Sequence, residues 1–311
     1  MSLNKILSKV EQQIIQCIYP GASLALYAHG KWQEAYLGES SPERGEKSRA
    51  GLLYDLASVS KVVGVGTILA FLVDQQAVDL NQPLTNYYPA FQDDSVTVRQ
   101  LATHTSGLDP FIPDRNKLNA TELTDALNHL TVLDNRSFRY TDVNFLLLGF
   151  MLEEIFHSSL DKIVAQEICQ PWHMKKTVFG PVEQAVPTVR GVKSGIVHDP
   201  KARVLGRHAG SAGLFSTVQD LEIFLEHYLQ DDFAAILTQN FSREVGKKRS
   251  LAWDLDGEWL QHTGYTGTFI MFNRAQQKAV IFLSNRTYEK DEREQWILER
   301  NKLMDVIKQE L

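Results

Sequence analysis

Leu3, Ile6, Leu7, Val10, Ile14, Cys17 and Ile18 recur at helical spacing, with Lys5, Lys9 and Glu11 between them. This is an amphipathic helix with one buried face, and Pro20-Gly21 predicts its end. Residues 22–27 and 32–37 then read as two strands, with His29-Gly30 as the turn of a hairpin. Residues 40–50 are polar and charged, hence a loop. From Ser58 to about Ala77 the chain is apolar nearly all round, which predicts a helix at the centre of the fold. Residues 121–130 and 142–156 read as further helices. Thr121 with Thr124 is a weak cap for the first, and Thr141 or Asp142 a better one for the second. Residues 191–213 carry five glycines and read as one long irregular segment. Ser216-Thr217 caps a helix to about Leu229, and residues 258–263, 268–273 and 279–284 read as strands. A last amphipathic helix presents Trp296, Leu303, Ile307 and Leu311 on one face, with its charges as a solvated face.

Strands at both ends with a helical block between predict an α+β fold. The expected core is an antiparallel sheet of about five strands built from both chain ends and flanked by helices, with an inserted, mostly helical subdomain.

Composition narrows the function. The 311 residues are 43% hydrophobic and 23% charged, the usage of an ordinary globular protein, and the net charge is −6. A mildly acidic chain has no general electrostatic reason to bind nucleic acid or an anionic membrane. Two cysteines, Cys17 and Cys169, make neither a disulfide framework nor a Cys-rich zinc site, and both read as small buried residues. No two of the nine histidines lie within five residues of each other, so no metal is expected. Phosphate-cradling and dinucleotide-binding glycine motifs are missing, so no cofactor is expected either, and the G-x-S-x-G elbow is missing too. The longest uncharged apolar stretch in the first half, residues 62–73, is short of a membrane span. The amphipathic start does not resemble a secretion signal, which sets the expectation of a cytoplasmic protein. Lys247-Lys248-Arg249 reads as a surface loop.

Three constellations carry candidate chemistry. S-x-x-K occurs at residues 2–5, 58–61 and 159–162. Only Ser58 opens an apolar helix, which puts its N–H at the positive end of the dipole, beside a developing oxyanion. Lys61 is one turn later, within reach of the Ser58 hydroxyl, and desolvation there lowers an amine's pKa toward that of a usable base. An N-cap serine followed by a surface lysine writes the same pattern. Tyr140-Thr141-Asp142 opens a later helix; a tyrosine beside an ammonium can shuttle protons, although a core tyrosine next to a cap reads the same. His262-Thr263-Gly264-Tyr265-Thr266-Gly267 joins two strands, where glycines permit close backbone approach and strand addition of a substrate, or simply a tight turn.

Taken in order, these constellations resemble the serine hydrolases of the class C β-lactamase, D-Ala-D-Ala carboxypeptidase and esterase type, with their Ser-x-x-Lys, Tyr-x-Asn and Lys/His-Thr-Gly motifs. Residues 101–108, LATHTSGL, resemble the family's LLTHTSGL segment, and residues 140–149 its YSDxNFxLLG segment. Residues 191–221, with Val197-His198-Asp199 and Gly213-Leu214-Phe215-Ser216-Thr217, are also similar, so the resemblance covers roughly residues 20 to 290. It implies a β-lactamase/transpeptidase-like fold, with a discontinuous sheet domain of residues 1–55 and 195–311. Residues 56–194 would be the insertion, with the active site in the cleft between the two. It implies Ser58 as nucleophile, Lys61 as base or proton relay and Tyr140 as second acid and base. The backbone N–H groups of Ser58 and Tyr265 would form the oxyanion hole, with Asp142, His262, Thr263 and Gly264 binding substrate.

Three positions depart from the family's pattern. Asp142 stands where many members have Asn, which should repel an anionic substrate or raise the pKa of Lys61. His262 replaces a lysine. Ser211 stands where relatives often have His. The expected reaction is hydrolysis of a small ester, amide or β-lactam through an acyl-enzyme. Two alternatives stay open: a non-catalytic or slowly acylated binding relative, and a Ser-His-Asp hydrolase with a structural Lys61.

Overall fold

The computed structural model describes residues 3–311; Ser2, which opens one of the S-x-x-K matches, lies outside them. Among the described residues ten strands form, in chain order: β1 Gly21–Ala28, β2 Lys31–Ser41, β3 Glu46–Lys47, β4 Tyr54–Asp55, β5 Val178–Phe179, β6 Leu214–Ser216, β7 Asp254–Asp256, β8 Trp259–Thr263, β9 Phe269–Asn273 and β10 Lys278–Ser284. The large sheet has the order β3-β2-β1-β10-β9-β8-β7, and β4, β6 and β5 form a small second sheet. At the centre β1 runs antiparallel to β10, from Ala22 opposite Ser284 to Tyr27 opposite Ala279. The fold is the expected α+β arrangement with one sheet drawn from both chain ends. It has seven strands instead of about five because the short edge strands β3 and β7 extend it. Neither is long enough to write an alternating pattern.

Among the described residues nine α-helices accompany the sheets: α1 Leu3–Ile15, α2 Thr67–Asp74, α3 Val98–Ala102, α4 Ala120–Asn128, α5 Val143–Phe156, α6 Leu160–Val164, α7 Pro200–Leu205, α8 Val218–Gln230 and α9 Arg293–Glu310. β1 is buried along its whole length, because both faces of the sheet are covered. Leu24 and Leu26 join Ile6 and Val10 of α1 and Trp296, Leu303 and Ile307 of α9 in one cluster. Ala25 and Tyr27, on the alternate face, belong to the larger core with α8 and the helical block.

The sequence reading needs several local corrections. The glycine-rich stretch 191–213 contains α7, opened by Asp199, whose carboxylate accepts the Ala202 N–H at 2.8 Å, with Pro200 at the first helical position. This is the usual start signal for a helix, hidden by the surrounding glycines. α4 is capped by Asn119 and Glu122 as a reciprocal capping box instead of by Thr121. Cys169 is buried, but Cys17 is exposed at a turn with φ +56°.

The central helix is not uniform. It begins as a 3₁₀ turn at Ala57–Val59, widens to a π turn at Val62–Gly66 and continues as α2. The apolar run Ala57–Asp74 is long enough to cross a bilayer by length and hydropathy, but most of it is buried as the core helix. Of the two glycines in this helix, Gly64 and Gly66, only the second serves close packing among the described residues. A Cβ on Gly66 would lie 2.7 Å from that of Ala252, whereas one on Gly64 meets only ordinary contacts at 3.4 Å and beyond.

Gly210 is tighter still, because a Cβ there would lie 2.1 Å from the Phe145 carbonyl. Gly210→Ala is therefore expected to cost about 3 kcal/mol in urea unfolding. Gly64→Ala, with room and better helix propensity, should stay within about 1 kcal/mol of the parent. Equal losses would show that the approach of residue 210 to α5 is not what its glycine serves.

Candidate active site

Ser58 is aimed by its lead-in. β4 pairs with β6, Tyr54 opposite Ser216 and Asp55 opposite Phe215. The buried Asp55 carboxylate accepts the N–H of Ala57 at 2.8 Å and of His198 at 2.7 Å, and burial pushes its pKa up to about 6. Ala57 takes the left-handed conformation at φ +46°, which a non-glycine residue adopts only when its surroundings impose it. The turn between β8 and β9 supplies that constraint. Thr266 Oγ1 donates to the Asp55 carbonyl at 2.8 Å and Thr268 Oγ1 to the Leu56 carbonyl at 3.0 Å. A Cβ on Gly264 would lie 2.5 Å from the same Leu56 carbonyl, so glycine permits this docking. Ser58 and Tyr265 consequently line one cavity of about 650 Å³.

Lys61 is 0% exposed, and its ammonium has three acceptors. Nζ donates to Ser58 Oγ at 3.0 Å, to Asp142 Oδ1 at 2.7 Å and to the Ser211 carbonyl at 2.9 Å. It also lies 5.2 Å from the centre of the Tyr140 ring. The expectation from desolvation alone is corrected here. Burial does lower the lysine's pKa, but Asp142 and then Tyr140 outweigh it, and the net shift is upward. Lys61 thus rests as a cation.

Asp142 stands at the N-cap position of α5 but makes no cap hydrogen bond. Its carboxylate is used elsewhere: Oδ1 on Lys61 and Oδ2 on Lys201, at 3.1 Å. Burial alone would push its carboxyl up, but the two ammoniums hold it well below the usual carboxylate range. The expected repulsion of an anionic substrate by Asp142 is therefore largely cancelled. Nothing in its glycine-rich surroundings marks Lys201 as a site residue; the one sequence signal for its position is the Asp199-Pro200 start of α7.

Tyr140 is 43% exposed, and its ring lies 4.5 Å from that of His104, centre to centre. His104 is buried in the left-handed region at φ +59°, and its carbonyl accepts the Arg139 N–H at 2.9 Å. Ser106 Oγ donates to Asn144 Oδ1 at 2.6 Å, which leaves the Asn144 amide to donate to His104 Nδ1 at 3.0 Å. The His104 proton therefore sits on Nε2. Burial, then Arg249 and Lys61, lower its pKa and keep it neutral. The THTSG segment is thus a scaffold that holds the tyrosine's loop.

His262 is 4% exposed, and neither ring nitrogen has a hydrogen-bond partner among the described residues. Its pKa is lowered by burial, then by Lys61 and Arg249, so it is neutral. Thr263 Oγ1 accepts from Arg300 at 3.1 Å. Both lie in a second cavity, of about 210 Å³, which shares Tyr140 with the first and is lined by Lys247, Arg249 and Arg300. The readings of residues 247–249 as a surface loop and of the α9 charges as a solvated face are corrected at these positions. Arg249 is 4% exposed, and Arg300 points at β8. No cluster of side chains suited to a metal ion occurs among the described residues.

A family model described as Beta-lactamase matches residues 7–303. The chain belongs to the β-lactamase family. This is a family of serine hydrolases. An N-acetylmuramyl-L-alanine amidase of Bacillus subtilis (strain 168) is 25% identical, over 91% of this chain and 82% of its own. A putative D-alanyl-D-alanine carboxypeptidase of Salmonella paratyphi B is also 25% identical, over 78% and 71%. In fold, the chain is similar to a β-lactamase/D-alanine carboxypeptidase from Pseudomonas syringae. Their TM-score is 0.82 at 18% identity, over 100% and 99% of the two chains. In this member of the β-lactamase family, then, one buried lysine joins the serine and aspartate singled out in the sequence, with Tyr140 beside it.

The ion pairs fix a pH dependence. A carboxyl held below its unfolded value of about 3.9 adds stability above that pH and loses it as the pH falls through the folded value. Asp142→Asn should lower stability at pH 7 by about 3 kcal/mol, since it leaves a buried ammonium short of its counter-ion. The gap to the parent should narrow below about pH 4 in urea unfolding. A pH-independent gap would place the effect outside the ion pairs.

Proposed function

We propose that the protein is an acyl-transfer hydrolase in which Ser58 attacks the carbonyl carbon of a small ester or amide. The observation that carries this is the 3.0 Å hydrogen bond from the buried Lys61 ammonium to Ser58 Oγ at the wall of the cavity. The Ser58 proton passes to Tyr140 or through Lys61, and on to the leaving group. Because Lys61 rests as the cation, relay suits it better than first acceptor. The backbone N–H groups of Ser58 and Tyr265 stabilise the oxyanion, and water then releases the acyl group from Ser58. No residue of a Ser-His-Asp triad bonds to Ser58 among the described residues; its side-chain partner is Lys61.

The block 56–194 supplies Ser58, Lys61, Tyr140 and Asp142 from one side of the cleft. The unit made of residues 1–55 and 195–311 supplies Tyr265, His262, Thr263 and Gly264 from the other. Cations outnumber anions along the cleft. Arg115, Lys201, Arg203 and Arg293 face Asp142, Asp199 and Asp291 in the larger cavity, and in the smaller one Lys247, Arg249 and Arg300 face a single carboxylate, Asp254, which pairs with the first two. This favours a substrate with a free carboxylate, as a D-alanyl-D-alanine carboxypeptidase substrate has, over a neutral ester. A second reading, a relative that is acylated slowly and mainly binds, is supported by the same Asp142, since a carboxylate on Lys61 disfavours loss of its proton.

Exposure to a fluorophosphonate, followed by intact-mass measurement, should give one adduct at Ser58. Ser58→Ala should give none while losing at most about 1–2 kcal/mol of stability. An unlabelled parent would remove Ser58 as a nucleophile. Tyr140→Phe should slow labelling about a hundredfold or more, and unchanged kinetics would take Tyr140 out of the reaction. In a panel of nitrophenyl esters, a chromogenic cephalosporin and D-amino-acid anilides, multiple turnovers mark the hydrolase, and a stable adduct with no turnover marks the binding relative.

A further inference from the structure

The two oxygens of Asp142 are shared between lysines from opposite parts of the chain, Lys61 at 2.7 Å and Lys201 at 3.1 Å. Lys201 is delivered by α7, and its side chain is only 14% exposed. A lysine held so far from water needs an anion, and its second one, Asp199 Oδ2, is more distant at 3.5 Å. The arrangement alternates in charge: ammonium, carboxylate, ammonium. With an uncharged residue at 142, Lys61 alone would set the charge beside Ser58. Asp142 cancels that charge, and Lys201 restores it.

We propose that Lys201 is a positioning residue for the reaction at Ser58: it anchors Asp142 and offsets part of its charge, so that the carboxylate orients Lys61 and holds its proton less tightly than an unpaired carboxylate would. This rests on the reading of Ser58 as the nucleophile. Other charged groups line the cavity. Arg203 shares α7, Arg115 comes from the loop before α4, and Asp291 and Arg293 come from the start of α9. None of them bonds to Asp142 among the described residues, whose ionic partners there are the two lysines. Tyr140, which faces the same cavity, is close enough to Lys61 to share the changed potential.

The sign follows from Coulomb's law. Removing the Lys201 charge leaves the site one unit more negative. Whichever group takes the Ser58 proton must first have lost its own, and that loss becomes harder near an uncompensated carboxylate. Removing Asp142 as well takes away the carboxylate that Lys201 offsets, so the two substitutions should not add.

The test measures the rate of fluorophosphonate labelling of Ser58 against pH in the parent, Lys201→Met, Asp142→Asn and the double variant. Lys201→Met should label about tenfold more slowly at pH 7, with the acid limb of its profile moved up by about one pH unit. Adding Lys201→Met to Asp142→Asn should change the rate by less than about twofold. Lys201→Arg should keep the limb of the parent, and Lys201→Gln should move it as Met does, which covers the case in which one variant folds poorly. An unmoved limb in both the Met and Gln variants, or an equal loss in the Asp142→Asn background, overturns the proposal even if stability falls. A second readout does not depend on the reaction. The carboxyl carbon of Asp142, followed by NMR, should titrate at a higher pH in Lys201→Met than in the parent. If the parent is never labelled but this titration moves, the hydrolase reading fails and the charge array stands. If labelling proceeds and neither the limb nor the titration moves, the array fails and the hydrolase reading stands.

Discussion

The buried ammonium of Lys61 is the interaction on which the rest of the structure depends. A lone cation in the interior costs several kcal/mol, and it survives there only because each of its three donors has a partner. Those partners come from the start of the central helix, from the start of α5 and from the glycine-rich approach to β6. The tight contacts nearby follow from this convergence. Gly210 must lie against α5 to bring the Ser211 carbonyl to Lys61, and the π turn that follows Lys61 lets Gly66 pack on Ala252. Thr266 and Thr268 fasten the far strands to the residues just before Ser58. The position of Ser58 is thus set by long-range contacts more than by its own helix.

Sequence reading goes furthest where local pattern and burial agree. The β1–β2 hairpin, the strands β8 to β10 and both terminal helices follow from apolar periodicity, and the order of the three motifs points to the family. Charge states do not follow in the same way. Desolvation of Lys61 is legible from its apolar neighbours, but the carboxylate that reverses its effect lies 81 residues away. Asp142 looks like a cap because the sequence does not show that its oxygens are taken. Lys201 is hidden by glycines that suggest loop where a short helix forms. Arg249 sits in a basic triplet that suggests surface, and only the packing of β7 and β8 buries it.

The chain as a whole is acidic, with a net charge of −6, yet along its cleft cations outnumber anions. Net charge governs solubility and long-range encounter; a cleft's own groups govern what binds in it. The same separation explains how the site keeps an aspartate that would otherwise oppose an anionic substrate. Two lysines absorb it, and the arginines around them remain available to solvent and ligand. His262, neutral and without a partner for either nitrogen among the described residues, contributes shape and hydrogen-bonding capacity to this lining instead of charge.

Pairing β1 with β10 at the centre of the sheet also bears on how the molecule is made. Residues 22–27 cannot find their partners until residues 279–284 have left the ribosome. Loop closure over such a span makes contact order high and folding slow, and the nascent sheet edge waits exposed in the meantime. Ser58 and Lys61 are synthesised early, but the threonines that brace the lead-in to Ser58 follow their partners there by 211 and 212 residues. The serine therefore acquires its geometry only after Thr266 and Thr268 have emerged, and a shorter nascent chain carries the S-x-x-K sequence without the site.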